Sequence, residues 1–143
     1  YALGRYGGNN FSTLLAVDLR NGGVTPVADL DRIYVTLACS YEGQLYAIDL
    51  EEGNLYTINK VSGHTKPVGN TFELPEAYVQ SMEFDHNTNT LYWAGNNIYE
   101  EGFLATVDTE TGESFRTGYL GNDAQVVGLY IPSAGTNSLP WEK

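Results

Sequence analysis

The sequence predicts an all-β chain built from four-stranded antiparallel sheets, and three observations support this prediction. First, a short β-run, an Asp or Asn, a glycine-containing turn and a second β-run follow one another in residues 14–27, 55–68 and 103–116. Second, these copies lie about 40 to 50 residues apart, the length of a four-stranded propeller blade. Third, the chain holds 11 Tyr and 16 Gly but no long amphipathic helical pattern. Together they predict a β-propeller segment with about three blades per chain.

Residues 33–70 form the most complete predicted blade, and residues 78–120 follow the same order with longer loops. The first of these blades has expected strands at 33–40, 44–49, 54–59 and 64–68. Gly43, Gly53 and Gly63 lie at its three breaks, where hairpin turns require positive φ. The second blade has expected strands at 78–84, 90–94, 102–107 and 113–119.

Residues 1–30 predict a partial blade that lacks its innermost strand, and residues 124–131 predict a spare closing strand. Closure within one chain would give only three blades, fewer than the usual four to eight. We therefore expect one of two arrangements. Either a homodimer completes a six-bladed ring, of which each chain supplies half, or the chain associates with the rest of a larger propeller chain. Residues 132–143 have the composition of a linker-like tail.

Charge and cysteine usage exclude several classes of partner and site. The net charge of −11 argues against nucleic acid, because phosphate groups attract Lys and Arg. No apolar run is long enough to cross a bilayer, so membrane insertion is not expected. The single cysteine, Cys39, lies in an apolar run and is expected to be buried. One cysteine allows no intramolecular disulfide and too few ligands for a cysteine-based zinc site.

Parts of the chain resemble known propeller repeats. Residues 85–93 resemble the core of the YWTD repeat, whose rings have six blades. Residues 45–53 and 105–112 are similar to the quinoprotein-type and YVTN-type repeats of bacterial proteins. The resemblance implies an extracytoplasmic location, which is periplasmic, cell-surface or secreted. No cofactor is expected, because Pro67 and Phe115 stand near the places where quinoprotein repeats usually have Trp.

The predicted blades bring acidic loops to one rim of the propeller. In a propeller, one kind of loop joins the outermost strand of a blade to the innermost strand of the following blade. It lies on the same rim as the loop between the second and third strands of a blade. The longest of these loops are 71–77 and 95–102. Propeller mouths are frequent binding sites, and amide and aromatic groups make adaptable contacts. The candidate binding residues are Glu51, Glu52, Tyr78, Asn96, Asn97, Tyr99, Glu100, Glu101 and Asp123. They predict a non-enzymatic binding or adhesion module for a glycan or protein partner.

Two other functions remain open at this point. Paired rim carboxylates can lie at the spacing of about 5 to 10 Å that glycoside chemistry needs. The chain would then be a fragment of a propeller glycosidase or polysaccharide lyase, with Glu52 or Glu101 as candidates. Nothing in the sequence marks one of these carboxyl groups as desolvated. The third hypothesis is a purely structural spacer.

Two further features of the third predicted blade suggest chemistry. Glu83 is a candidate channel-lining residue, because strand alternation places Met82 and Phe84 on the opposite face. Residues 85–89 alternate oxygen-bearing side chains as a calcium loop does. They are followed by Thr90 instead of the expected glycine, so the sequence favours a hairpin turn and predicts no metal site.

Overall fold

A computed structural model describes residues 1–76, 80–122 and 124–133, and within them every regular element is a β-strand. No helix in this part of the chain has the length and apolar character needed to cross a membrane. The strands are β1 (Ala2–Gly4), β2 (Thr13–Val17), β3 (Val24–Asp29), β4 (Ala38–Cys39), β5 (Leu45–Ile48), β6 (Asn54–Ile58), β7 (Thr65–Asn70), β8 (Ser81–Asp85), β9 (Thr90–Asn96), β10 (Glu101–Val107) and β11 (Ser114–Asn122).

The strands form three antiparallel sheets in which sequence neighbours are also spatial neighbours. Sheet 1 has the order β1-β2-β3, sheet 2 the order β4-β5-β6-β7 and sheet 3 the order β8-β9-β10-β11. Short hairpin connections explain this order, because antiparallel neighbours need only tight turns. The prediction of an all-β chain with four-stranded antiparallel sheets is therefore confirmed, with one sheet of three strands.

The first strand of sheet 2, β4, is shorter than the predicted 33–40. Its ladder is interrupted because the backbone N–H of Ile48 donates to the Thr36 hydroxyl, at 3.2 Å, instead of to a backbone carbonyl. Before this interruption, Tyr34 forms an isolated bridge with Asp49. After it, only Ala38 and Cys39 pair with β5.

The segment 124–131, predicted to be a closing strand, has no assigned strand in this chain. A strand needs a backbone partner, and closure was expected with a second chain or with the rest of a larger one. The segment instead runs along sheet 3. The backbone N–H of Leu129 donates to Ser81 Oγ at 2.8 Å, and Asn87 Nδ2 donates to the carbonyl of Pro132 at 3.3 Å.

Sheet 2 lies between the other two sheets and packs against both. Alternation along β5 directs Leu45 and Ala47 toward a core shared with sheet 1 and Ile48 toward a core shared with sheet 3. The core shared with sheet 3 contains Trp93 and Phe103. Among the described residues, sheets 1 and 3 each pack against sheet 2 on one face and against no further sheet.

The turns after β2, β6 and β10 have the same hydrogen-bond pattern, although their sequences differ. In each, a glycine N–H donates to the carbonyl four residues earlier: Gly22 to Asp18, Gly63 to Asn59 and Gly112 to Asp108, at 2.8, 2.8 and 2.9 Å. Each glycine has positive φ, which is costly for other residues. We call these the three glycine turns.

Two of the glycine turns also lie against the neighbouring sheet. A Cβ atom added at Gly63 would collide with Ala28 in β3, and one added at Gly112 would collide with Gly69 in β7. Each turn thus touches the last strand of the preceding sheet at a small residue. Close backbone approach, as well as positive φ, requires glycine at these two positions.

Cys39 is exposed, so the prediction that it is buried was wrong. Its neighbour Ala38 faces the core shared with sheet 3, and alternation turns Cys39 to the opposite face. On that face, the described part of sheet 1 has no strand beyond β1, so the thiol is left exposed.

Candidate functional site

The strongest candidate site lies where two loops of the described chain meet. Residues 71–76 connect β7 toward β8, and residues 97–100 connect β9 to β10. The backbone N–H of Ile98 donates to the carbonyl of Leu74 at 3.1 Å, and Pro75 forms an isolated bridge with Asn97. We call residues 71–76 and 96–100 the rim loop pair.

Asn97 fixes this loop pair from inside. Its side chain is buried, with 1% of its surface exposed. Its Nδ2 donates to Glu73 Oε2 at 3.1 Å and to Glu101 Oε2 at 3.3 Å. Its Oδ1 accepts the backbone N–H groups of Tyr99 and Glu101 at 3.0 and 3.3 Å. A buried amide that uses its donors and its acceptor in this way holds both loops in one conformation.

Arg116, from β11, closes the same network at the surface. Its guanidinium donates to both carboxylate oxygens of Glu73 and, at 2.9 Å, to Glu101 Oε2. Its central carbon also lies 5.2 Å from the ring centre of Phe103. A planar guanidinium suits this double pairing, which a lysine ammonium could not reproduce.

The network shifts the pKa values of its charged groups. The hydrogen bond from Asn97, followed by that from Arg116, lowers the pKa of the Glu101 carboxyl below its usual value. The hydrogen bond to Glu73, reinforced by Glu101, raises the pKa of Arg116. Glu101 is thus ionised at neutral pH and engaged by the protein itself.

Four apolar side chains are exposed on this fixed scaffold. Phe72 and Tyr99 are each 75% exposed, and Leu74 and Ile98 are 42% and 47% exposed. Sequence reasoning found Tyr99 but missed the other three. Two features of the sequence could have identified these side chains: the length of the 71–77 loop, and the presence of Phe72 and Leu74 within it.

Two exposed residues of the loop pair have left-handed backbone conformations. Phe72 has φ 63° and Glu100 has φ 60°. These are uncommon for residues other than glycine and cost about 1 to 3 kcal/mol each. Phe72 is supported by its backbone N–H, which donates to Asn70 Oδ1 at 2.8 Å. Its large side chain gains little burial in return.

The buried amide of Asn96 has a structural position, although the sequence made it a candidate binding residue. It is 2% exposed, and with Nδ2 turned toward Glu76 it donates to that carboxylate at 3.1 Å. Its backbone carbonyl accepts Gln80 Nε2 at 3.0 Å, and Gln80 Oε1 accepts Trp93 Nε1 at 2.9 Å. Asn96 and Asn97 therefore support the loops from within and do not present contact groups.

The remaining rim candidates fall near the loop pair or outside the described residues. Glu51 and Glu52 are exposed in the β5–β6 turn. Asn70 Nδ2 donates to the carbonyl of Glu52 at 3.0 Å, and the Thr71 hydroxyl donates to that of Gly53 at 2.6 Å, so this turn adjoins the loop pair. Tyr78 and Asp123 lie outside the described residues.

Glu83 lines a cleft beside β4 and β8, the first strands of sheets 2 and 3. The cleft has a volume of about 330 Å³ and also contacts Cys39 and His86. Glu83 is half-buried, and its Oε1 accepts the backbone N–H of Phe84 at 2.9 Å. Met82 and Phe84 are buried on the opposite face, as alternation predicted.

Residues 86–89 form the predicted hairpin turn between β8 and β9. One oxygen of Asp85 accepts the backbone N–H of Asn87 at 2.9 Å, and the other accepts the Thr88 hydroxyl at 3.0 Å. The hydrogen bond from the Asn87 backbone is the main cause of a lowered Asp85 pKa. These oxygens stabilise the turn. No cluster of three potential metal-ligating side chains occurs among the described residues.

Comparison with known proteins adds no family assignment. Neither a scan against protein-family models nor a search of curated proteins found a match to this chain.

Proposed function

We propose that this chain is a segment of a β-propeller that acts as an extracytoplasmic binding module and engages a protein partner through the rim loop pair. The propeller part is supported by the stacking of three antiparallel sheets and by the recurrence of the glycine turns between them. The extracytoplasmic location rests on the resemblance of residues 45–53 and 105–112 to bacterial surface repeats.

The observation that carries the binding function is a rigid loop pair that exposes four apolar side chains. Folding alone gains nothing from an exposed Phe72 held at positive φ. The Asn97 and Arg116 network keeps the loops ordered without the help of these side chains. An ordered apolar patch on a soluble surface is typical of a contact site.

The composition of the patch favours a protein over a glycan. Leu74 and Ile98 are aliphatic, and they extend the surface beyond the aromatic rings on which a sugar would stack. Glu76 and Glu100 are exposed acidic residues of the same two loops and suit a basic rim on the partner. If the screen instead finds a glycan that stacks on Phe72 or Tyr99, the proposed protein partner is wrong and the site binds glycans.

The glycosidase or lyase alternative receives less support. A general acid needs a carboxyl pKa raised toward neutrality, and that of Glu101 is lowered. Glu101 is also held by Arg116 and Asn97. Loss of polysaccharide turnover in Glu101→Gln or Glu52→Gln would restore the alternative.

The test compares Phe72→Gly and Tyr99→Ala with the wild type. Purified extracytoplasmic proteins and a glycan array are both screened with the labelled chain, and affinity for each binder is then measured. We expect at least tenfold weaker protein binding for both variants. Phe72→Gly should also raise the free energy of unfolding by about 1 kcal/mol, because glycine relieves the positive φ.

Tyr41→Ala is the matched control, since Tyr41 is an equally exposed aromatic (77%) in the turn between β4 and β5. It should bind as the wild type does. Binders that do not distinguish the wild type from Phe72→Gly or Tyr99→Ala would refute the proposed site.

A further inference from the structure

The three glycine turns differ in the residue that precedes the glycine. This residue is Asn21 in the first turn, Ser62 in the second and Thr111 in the third. In each turn its side-chain oxygen accepts the backbone N–H two residues later, at 2.7, 3.2 and 3.3 Å. A hydroxyl therefore suffices for this hydrogen bond, and the fold of the turn does not require an asparagine.

Asn21 differs from the two hydroxyl residues because it places a carbonyl group beside a glycine nitrogen. Asn21–Gly22 is the only Asn-Gly pair in the sequence. The backbone nitrogen that follows an asparagine can attack the side-chain amide carbon, and a glycine has no side chain to hinder this attack. The N–H of Gly23 donates to Asn21 Oδ1, the oxygen on which negative charge develops during the attack.

The first glycine turn is also the most accessible of the three. Gly22 is exposed, whereas Gly63 and Gly112 are buried. No described residue lies within 4 Å of a Cβ atom added at Gly22, but the other two glycines meet the preceding sheet. Hydroxide, which must remove the proton from the attacking nitrogen, therefore reaches the first turn without any separation of sheets.

One hydrogen bond opposes the reaction. The N–H of Gly22 donates to the carbonyl of Asp18 at 2.8 Å, and this bond must open before the nitrogen can attack. The net strength of one exposed hydrogen bond corresponds to a factor of about ten or less in the population of the open form. At Gly63 and Gly112 the glycine must also leave the neighbouring sheet. The reaction is thus slowed least at the first turn.

We propose that Asn21 is a site of spontaneous deamidation in the folded protein. The Gly22 nitrogen loses its proton and forms a bond to Cγ of Asn21, and the amide nitrogen takes up a proton and leaves as ammonia. The cyclic imide that remains consumes one water molecule at either of its carbonyl carbons. The products are aspartate and isoaspartate at position 21. This inference goes beyond the proposed partner binding and does not depend on the rim loop pair.

The modification changes both the charge and the backbone of the hairpin formed by β2 and β3. A neutral amide becomes a carboxylate, which adds one negative charge to a chain whose net charge is −11. Isoaspartate also inserts a methylene group into the backbone. The 2.8 Å hydrogen bond from the Asp18 N–H to the Gly23 carbonyl then loses its geometry. The amides of the modified hairpin should therefore exchange with solvent faster than those of the unmodified one.

The experiment incubates the chain in mildly alkaline buffer, folded and unfolded in urea. Peptide mass spectrometry measures deamidation at position 21, and enzymatic methylation measures isoaspartate. We expect both products in the folded wild type, formed at a rate within about tenfold of that in urea. Asn21→Ser copies the side chain found at Ser62, so it should keep the wild-type melting temperature and form no isoaspartate in this turn.

Ser62→Asn is the matched control, because it creates an Asn-Gly pair in an equivalent turn whose glycine is buried. In the folded chain, position 62 of this variant should deamidate at least tenfold more slowly than position 21. Equal rates at the two positions would overturn the proposed role of accessibility. A position 21 that reacts more than a hundredfold more slowly in the folded chain than in urea would overturn the proposed site.

Discussion

The two sheet interfaces of this molecule share one backbone contact but have different side-chain cores. Between sheets 2 and 3, Trp93 and Phe103 are fully buried and meet edge to face, with ring centres 4.9 Å apart. Between sheets 1 and 2, Tyr34 donates to Asp31 at 3.0 Å, and Arg32 lies 4.6 Å from the ring centre of Tyr56. Both interfaces contain a glycine turn on a small residue. The glycine contact is common to both interfaces. The side chains make the core between sheets 2 and 3 more apolar than the one between sheets 1 and 2.

The largest expected effect is at the drier interface. Trp93→Ala should lower the free energy of unfolding by about 3 to 5 kcal/mol, because it leaves a large cavity between sheets 2 and 3. It also removes the indole donor to Gln80 Oε1. Urea denaturation followed by circular dichroism measures the change. Tyr92→Ala, on the other face of the same strand, is the control, and an equal loss there would contradict the assigned core.

The glycine contact can be separated from the glycine conformation by two variants. Gly112→Ala should cost about 2 to 3 kcal/mol, since it combines positive φ with a collision against Gly69. Gly22→Ala has the same positive φ, but no described residue lies within 4 Å of the added Cβ, so it should cost only about 1 kcal/mol. Thermal melts of the wild type and of both variants give the difference. Equal losses would show that close approach contributes nothing.

The smallest expected effect is the acid sensitivity of the interface between sheets 1 and 2. Burial opposes ionisation of Asp31, but hydrogen bonds from Tyr34, Arg32 and Thr65 outweigh it and hold the pKa of its carboxyl below the usual value. Because the folded pKa is the lower one, this contribution is complete above the unfolded pKa of about 3.9. It is lost as pH falls through the folded pKa.

Asp31→Asn should therefore flatten the loss of stability as pH falls below about 4, relative to the wild type. Denaturation midpoints at several pH values give this slope. Glu110→Gln, at an exposed turn position, serves as the control and should keep the wild-type slope. An unaltered slope in Asp31→Asn would show that the ionised Asp31 does not stabilise this interface.

The sequence predicted the order of strands better than the exposure of particular side chains. Alternation and turn residues are local, so β5–β7 and β9–β11 were predicted close to their observed positions. The exposure of Cys39 and the burial of Asn97 depend on which element covers them, and no local pattern contains that information. Phe72 was missed for a similar reason, since nothing in the sequence marks a phenylalanine that takes positive φ.

The position of sheet 2 has a consequence for how the chain comes apart. Both faces of this sheet are covered, so it can lose its order only after a neighbour has separated from it. Opening should therefore begin at the outer sheets, and the amides of β5 and β6 should be the last to exchange with solvent.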